Sequence, residues 1–155
     1  MFPERGFFIQ CIFEVCKNLT LGDAEFMCYY SVWRYGEYLG LGLGASSFLK
    51  RKEGGFRSKN TDDMSLYLAS CGAEGVTVEE ISEAEAMKEF IMLGLRLEEG
   101  LNKEDFHDFF SVDFMGLYGE KVKKLGKMLV VSTEKVAIAP EYFYVSNTII
   151  EEIIY

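Results

Sequence analysis

Apolar positions along this chain recur with two different periods, and the change divides it into two halves. Up to about residue 72 the apolar residues come in short runs suited to strands and loops. "FFIQCIFEV", Phe7 to Val15, is aromatic and β-branched and predicts a buried strand. "EYLGLGLG" predicts a second strand interrupted by glycines, where the missing side chains mark a bend or a close backbone approach. "KRKEGGFRSKN" reads as a solvated basic turn, and "NTDDMSLYLAS" as a short amphipathic helix through Leu68, capped by Asn60 or Thr61. "CGAEGVTVEE" reads as a linker.

From residue 80 the period becomes helical. In "SEAEAMKEFIMLGLRLEEG", Ser82 and Glu85 form a capping box, in which each side chain satisfies a backbone N–H left open by the first turn. Met87, Phe90, Ile91, Gly94 and Leu97 then share one face, and Gly100 is a natural stop. Asn102 caps a second helix that buries Phe106, Phe109 and Phe110. Asp113 opens a third, with Phe114, Leu117, Tyr118, Val122 and Leu125 inward and Gly126 at its end. "MLVVSTEKVAIA" predicts a hairpin turning at "STEK", and Pro140 occupies the first position of a closing helix with a heavy apolar side. Three helices, a hairpin and a final helix follow the plan of a winged-helix-like domain. That helix, through Ile149, Ile150, Ile153, Ile154 and Tyr155, either closes this core or contributes to an interface.

Composition narrows the chemistry. The 155 residues are 49% apolar and 26% charged, which suits one or two compact globular units. No run approaches the ~18 apolar residues of a membrane span. The start "MFPERGFFIQ" lacks a basic leader and a small-residue cleavage site, so a mature cytoplasmic protein is expected. A net charge of −9 argues against nucleic acid and anionic membranes. From Ser82 onward eight Lys and Arg face fourteen Asp and Glu, and the basic set Lys121, Lys123, Lys124 and Lys127 is confined to the third helix. Adjacent acids such as Glu98 and Glu99 point to different helix faces and make no acid–base pair. His107 has no triad-like neighbours. Cys11, Cys16, Cys28 and Cys71 have no paired spacing, so reduced, packed thiols are expected rather than disulfides.

"FEVCKN", "VWRYGEYLGLGLGASSFL", "FRSKNTDDMSLYL" and "EAMKEFIMLGLRLEEGLNKEDF" stand in a familiar order and spacing. Together with the closing "LVVSTEKVAIAPEYFYVSNTIIEEII", they resemble the C-terminal part of the oxygen-independent coproporphyrinogen III oxidase-like radical AdoMet proteins. The branch that acts in haem delivery is the most similar. The resemblance implies an α+β chain. Residues 1–72 would be remnant strands of an incomplete α/β barrel, with the glycine segment and a short helix, and residues 80–155 a helical winged-helix-like domain. Where the family's glycines let backbone approach S-adenosylmethionine, this chain places Gly44, Ala45 and Ser46. A tightly packed bent strand is the alternative reading. The strand, spacing, helix and acid of a dinucleotide-binding fingerprint are not all present.

The departures carry as much as the matches. The family's CxxxCxxC, which holds a [4Fe–4S] cluster through three thiolates, belongs to a half that this sequence does not include. No cofactor is therefore expected for this chain alone, and radical chemistry would come from a separate N-terminal polypeptide. The haem-delivery branch carries H-N-x-x-Y-W where this chain reads "CYYSVW", which puts Cys28 at the family's histidine and keeps Trp33. Cysteine thiolate can ligate haem iron, so Cys28 and Trp33 are the haem or porphyrin candidates. Ser46 likewise replaces a family histidine. A diverged or truncated copy follows, with a tetrapyrrole, the N-terminal polypeptide or a second copy of itself as expected partners. The alternatives are a non-enzymatic haem-binding module and a ligand-free interaction domain.

Overall fold

The computed structural model describes residues 32–51, 54–70 and 72–155. The predicted strand Phe7–Val15 and all four cysteines lie outside the described residues. The chain separates into two compact units, one of residues 1–32 and 36–81, the other of residues 33–35 and 82–155.

The first unit contains a three-stranded sheet in the order β1-β2-β3. β1 (Ser46–Arg51) and β2 (Gly54–Lys59) form an antiparallel hairpin, with Phe48 opposite Arg57 and Leu49 opposite Phe56. The segment expected to be a solvated basic turn is thus half of a hairpin. Its strands also carry Phe48, Gly55 and Phe56, and a Cβ on Gly55 would meet the Phe48 ring at 2.7 Å. Arg51 lies 4.5 Å over the Phe56 ring, which hides apolar surface beneath a charged side chain. Helix α1 (Met64–Ser70) is capped by Asp63, whose carboxylate accepts from the amides of Ser65 at 2.8 Å and Leu66 at 3.0 Å. The cap is therefore neither Asn60 nor Thr61, and the helix runs two residues past Leu68. The expected linker contains β3 (Thr77–Ser82), a strand exposed at all but Ile81.

In the second unit the sequence rules operate closely. The capping box is present: the Ser82 hydroxyl accepts from the Glu85 amide, and the Glu85 carboxylate accepts from the Ser82 amide at 3.0 Å and hydroxyl at 2.7 Å. Helix α2 (Glu83–Gly94) buries Ala86, Phe90, Ile91 and Gly94. The chain then turns to Gly100, whose φ of +78° favours glycine and where a Cβ would collide with the Val136 carbonyl. Beyond it lie β4 (Leu101–Asn102), α3 (Lys103–Phe110) and α4 (Phe114–Leu125). Asn102 and Asp113 cap α3 and α4 as their spacing predicts. β5 (Leu129–Val131) and β6 (Lys135–Ile138) form the hairpin, and β4 joins it in the order β4-β6-β5. Pro140 starts a 3₁₀ stretch to Val145, followed by α5 (Ser146–Ile154). α5 buries Ile149, Ile150 and Ile153 within its own unit, so its apolar side closes a core.

The core is aromatic. Phe90 on α2 meets Phe106, Phe109 and Phe110 of α3 with centroids 5.6–5.7 Å apart, and Phe106 meets Phe110, Phe114 and Tyr118. Most pairs are edge-on or tilted, the arrangement a ring quadrupole favours. Burial pushes the Tyr118 phenol pKa up. Leu117, expected inward, is 53% exposed. α4 turns the stripe of Phe114, Tyr118 and Val122 to the core, and Leu117 falls on its outer flank.

Two outcomes follow. Phe106→Ala removes a fully buried ring and is expected to cost about 3–5 kcal/mol, whereas Leu117→Ala costs less than about 1 kcal/mol; urea denaturation compares them. The Ser82 hydroxyl, then its backbone N–H, hold the Glu85 carboxyl below the ordinary carboxylate range. A carboxyl depressed in the folded state contributes stability that is full above its unfolded value, near 4.3, and is lost as pH falls through the lower folded value. Glu85→Gln should therefore flatten the acid side of the stability profile, read as the urea midpoint against pH.

Candidate functional site

Glycine and asparagine together build the segment that precedes β1. A Cβ on Gly40 would collide with the Ser46 backbone, while Gly42 and Gly44 take φ of +110° and +65°. These values break a strand, and residues 37–44 accordingly make only one bridge, Tyr38 to Phe48. The predicted glycine-interrupted strand is instead a loop folded against the ends of the hairpin. Asn60 ties it down. Its side-chain amide donates to the Gly42 carbonyl at 2.8 Å, and its backbone N–H donates to Ala45 O at 2.8 Å. Gly44 N–H donates to Thr61 O at 2.9 Å, and Gly40 N–H to the Ser47 hydroxyl at 3.0 Å.

Gly44 and Ala45 are buried here, and Ser46 is half-buried at the first position of β1, opposite Lys59. The structure thus keeps the three cofactor-side candidates together. Their main chain is already engaged: the amides of Gly40, Gly44 and Ala45 all donate within the unit. A phosphate cradle needs such amides aimed at the ligand, so this loop is not one. Leu39 and Leu41 on the loop are exposed.

Trp33 lies elsewhere, in the unit of residues 82–155. It is half-buried at the end of a short helical turn and lines a hollow with Arg34, Phe90, Glu99, Asn102 and Lys135. Arg34 donates to Glu99 at 2.7 Å, and Lys135 stands 3.9 Å from the other Glu99 oxygen. The next residue, Tyr35, is 4% exposed. Its ring meets Phe90 at 5.8 Å and Phe109 at 6.1 Å, both edge-on. The hollow's volume is about 50 Å³, far below the roughly 300–1,000 Å³ of pockets that enclose a drug-sized ligand. It cannot enclose a macrocycle.

Cys28 lies outside the described residues. His107 is exposed on α3. Among the described residues no group of three His, Cys, Asp or Glu could hold a metal ion, and none of the four cysteines in the sequence has CxxxCxxC spacing. The anchoring of Trp33–Tyr35 on residues 82–155 had no signal in the sequence, because its partners are 55 to 74 positions away and three residues have no period. The basic set of α4 is engaged locally: Lys121 donates to Ile153 O at 3.0 Å, Lys123 pairs with Glu120 and Lys124 with Glu152. No helix among the described residues is long and apolar enough to cross a membrane.

Comparison with known proteins gives concordant findings. Residues 81–138 match the family model of the HemN C-terminal domain. The heme chaperone HemW of Lactococcus lactis is 31% identical over 139 residues, 88% of this chain and 36% of that protein. The heme chaperone HemW of Bacillus subtilis is 25% identical over 125 residues, 79% of this chain and 32% of that protein. The chain thus spans about a third of the length of these relatives. In fold it is similar to the coproporphyrinogen III oxidase HemN of Escherichia coli, described as a radical SAM enzyme. There the TM-score is 0.52 at 13% identity, covering 76% of this chain and 28% of that one.

The loop's geometry makes its own test. Gly40→Ala is expected to lower stability by about 2 kcal/mol or more, since the Ser46 backbone cannot yield as a flexible side chain would. Gly42→Ala, with open space around it but a positive φ, should cost about 1 kcal/mol. Equal effects in thermal denaturation would contradict the packing described.

Proposed function

We propose that this chain, whose residues 81–138 match the HemN C-terminal domain model, is the C-terminal portion of a tetrapyrrole-handling protein. On this reading it supplies structure to a reaction or delivery chamber and no radical chemistry by itself. The observation that carries the reading is the 31% identity, over 88% of the chain, to a protein that is a heme chaperone. Residues 82–155 act as a winged-helix-like covering domain. Support comes from the run helix–strand–helix–helix–hairpin and from a sheet in which the first strand pairs with the last. A role on nucleic acid is disfavoured by the excess of acids from Ser82 onward and by basic side chains turned to partners within the unit.

The names of both relatives favour haem over a porphyrinogen as the cargo, which makes haem binding the second reading. Cys28 would supply a thiolate and Trp33 a stacking face. An open face rather than an enclosed pocket would have to serve, given the small hollow beside Trp33. Gly44, Ala45 and Ser46 are proposed to border S-adenosylmethionine only in concert with a polypeptide that carries the cluster.

Two measurements test these statements. Reconstituted anaerobically with iron, sulfide and a reductant, this polypeptide is expected to form no 5′-deoxyadenosine from S-adenosylmethionine; formation of that product would refute the reading of a non-igniting portion. Titration with haemin is expected to give a shifted Soret band that weakens in Cys28→Ala. An unchanged free-haemin spectrum at micromolar protein would end the haem reading and leave the structural one.

A further inference from the structure

The sheet of the first unit has one covered side and one open side. Phe48, 3% exposed, stands opposite Arg57, and its ring meets Tyr38 at 6.1 Å, so these three share the covered side. Side chains alternate along a strand. Leu49 and Arg51 of β1, and Phe56 of β2, which stands opposite Leu49, therefore fall on the other side. On β3, Glu79 pairs with Arg57 and Ile81 is 4% exposed, which leaves Val78 and Glu80 to the open side. Leu39 joins them, because its neighbour Tyr38 bridges to Phe48. Leu39, Leu49 and Val78 are 68%, 54% and 67% exposed. One exposed leucine is ordinary, but three such residues around Phe56 on a single sheet face make a patch of the kind that marks an interface.

Charge on this side is divided. β1 and β3 are the outer strands of the order β1-β2-β3, two strand spacings or about 10 Å apart. β1 contributes Arg51, which lies over the Phe56 ring, and β3 contributes the exposed Glu80. Among the described residues no carboxylate pairs with Arg51 and no cation with Glu80, whereas Arg57 and Lys59 of the other side are paired within the unit. A face with an apolar centre, a cation on one margin and an anion on the other is complementary to itself.

We propose that a second copy of the chain docks on this open side, face to face about a two-fold axis running along β2. The axis lays β1 of one copy over β3 of the other. Leu49, Phe56 and Val78 then fill the space between the sheets, which pack about 10 Å apart. Arg51 of each copy meets Glu80 of the other, twice by symmetry. The area decides the strength. Three six-residue strands, spaced about 4.8 Å and rising about 3.3 Å per residue, give roughly 300 Å² per copy. That is well short of the roughly 800 Å² per partner in a stable complex. The dimer is therefore weak and reversible rather than obligate.

Sedimentation equilibrium of the full chain is expected to show the average mass rising from monomer toward dimer between about 10 μM and 1 mM. Leu49→Asp and Val78→Asp, each at an exposed strand position, should hold the chain monomeric over that range. Arg51→Glu and Glu80→Arg should each weaken association roughly tenfold, since two attractive pairs per dimer become repulsive. Mixed in equal amounts, these two charge variants should associate with each other as the parent does, because both pairs of the mixed dimer again join opposite charges. A parent chain that stays monomeric throughout the range would overturn the second copy as occupant and leave the face to a different polypeptide. Aspartate variants that keep the parent's far-UV circular dichroism and still associate like it would overturn the proposal. So would charge variants whose mixture stays monomeric, and that mixture decides alone should either aspartate variant fail to fold.

Discussion

Packing of Phe90 against the three phenylalanines of α3 is the interaction on which the second unit depends. Phe90 lies on α2, and its neighbours Phe106, Phe109 and Phe110 occupy one turn of α3. Phe106 in turn carries Phe114 and Tyr118 of α4. Each ring is wide enough to touch several others, so a single cluster fixes three helices that are individually only eight to twelve residues long. Helices of that length are marginal alone, and their stability comes from the shared face. The caps at Ser82, Asn102 and Asp113 then act as phase markers. They set where each helix begins and thus which residues meet the cluster.

That division of labour explains what the sequence disclosed. Caps are local, and so are helical stripes; Ser82 with Glu85, Asn102, Asp113 and Gly126 could each be read within a few residues. The "STEK" hairpin was legible for the same reason, whereas Pro140, expected at the first position of the closing helix, starts a 3₁₀ stretch and the helix begins at Ser146. The first half was less legible, because its determinants are pairings across the chain. Residues 37–44 resembled a strand because leucine alternates with glycine, yet Asn60 and Thr61, sixteen or more positions away, hold them as a loop. The hairpin of β1 and β2 was hidden by its composition, since Lys50, Arg51, Arg57 and Lys59 with three serines and two glycines leave few apolar positions and no alternation. β3 was missed because Thr77, Val78, Glu79 and Glu80 are all exposed and only Ile81 is buried, so no apolar run announced it. Leu117 shows the limit of a stripe: helical spacing admits a broad apolar face, and only the position of the neighbouring helix decides which flank is covered.

Of the candidate site residues, the fold keeps Gly44, Ala45 and Ser46 together and assigns Trp33 to a different unit. The glycine loop and the Trp33 hollow differ in chemistry as well. The loop is defined by main chain with its amides engaged. The hollow is bordered by charge, with Glu99 between Arg34 and Lys135.

The distribution of charge sharpens that distinction. Cations in the second unit are directed inward to the unit's own carboxylates, carbonyls and rings: Lys124 to Glu152, Lys121 to the end of α5, Lys88 and Lys127 over Tyr155 and Tyr142. The remaining acids give this unit an outward negative character, which repels anionic partners at long range whatever its helical topology resembles. The hairpin of the first unit has the opposite balance, with Lys50, Arg51, Arg57 and Lys59 on six-residue strands. Two of these four are paired with acids, Arg57 with Glu79 and Lys59 with Asp62. The contrast between the hairpin and the second unit is thus one of local placement of charge, within a chain whose net charge is −9.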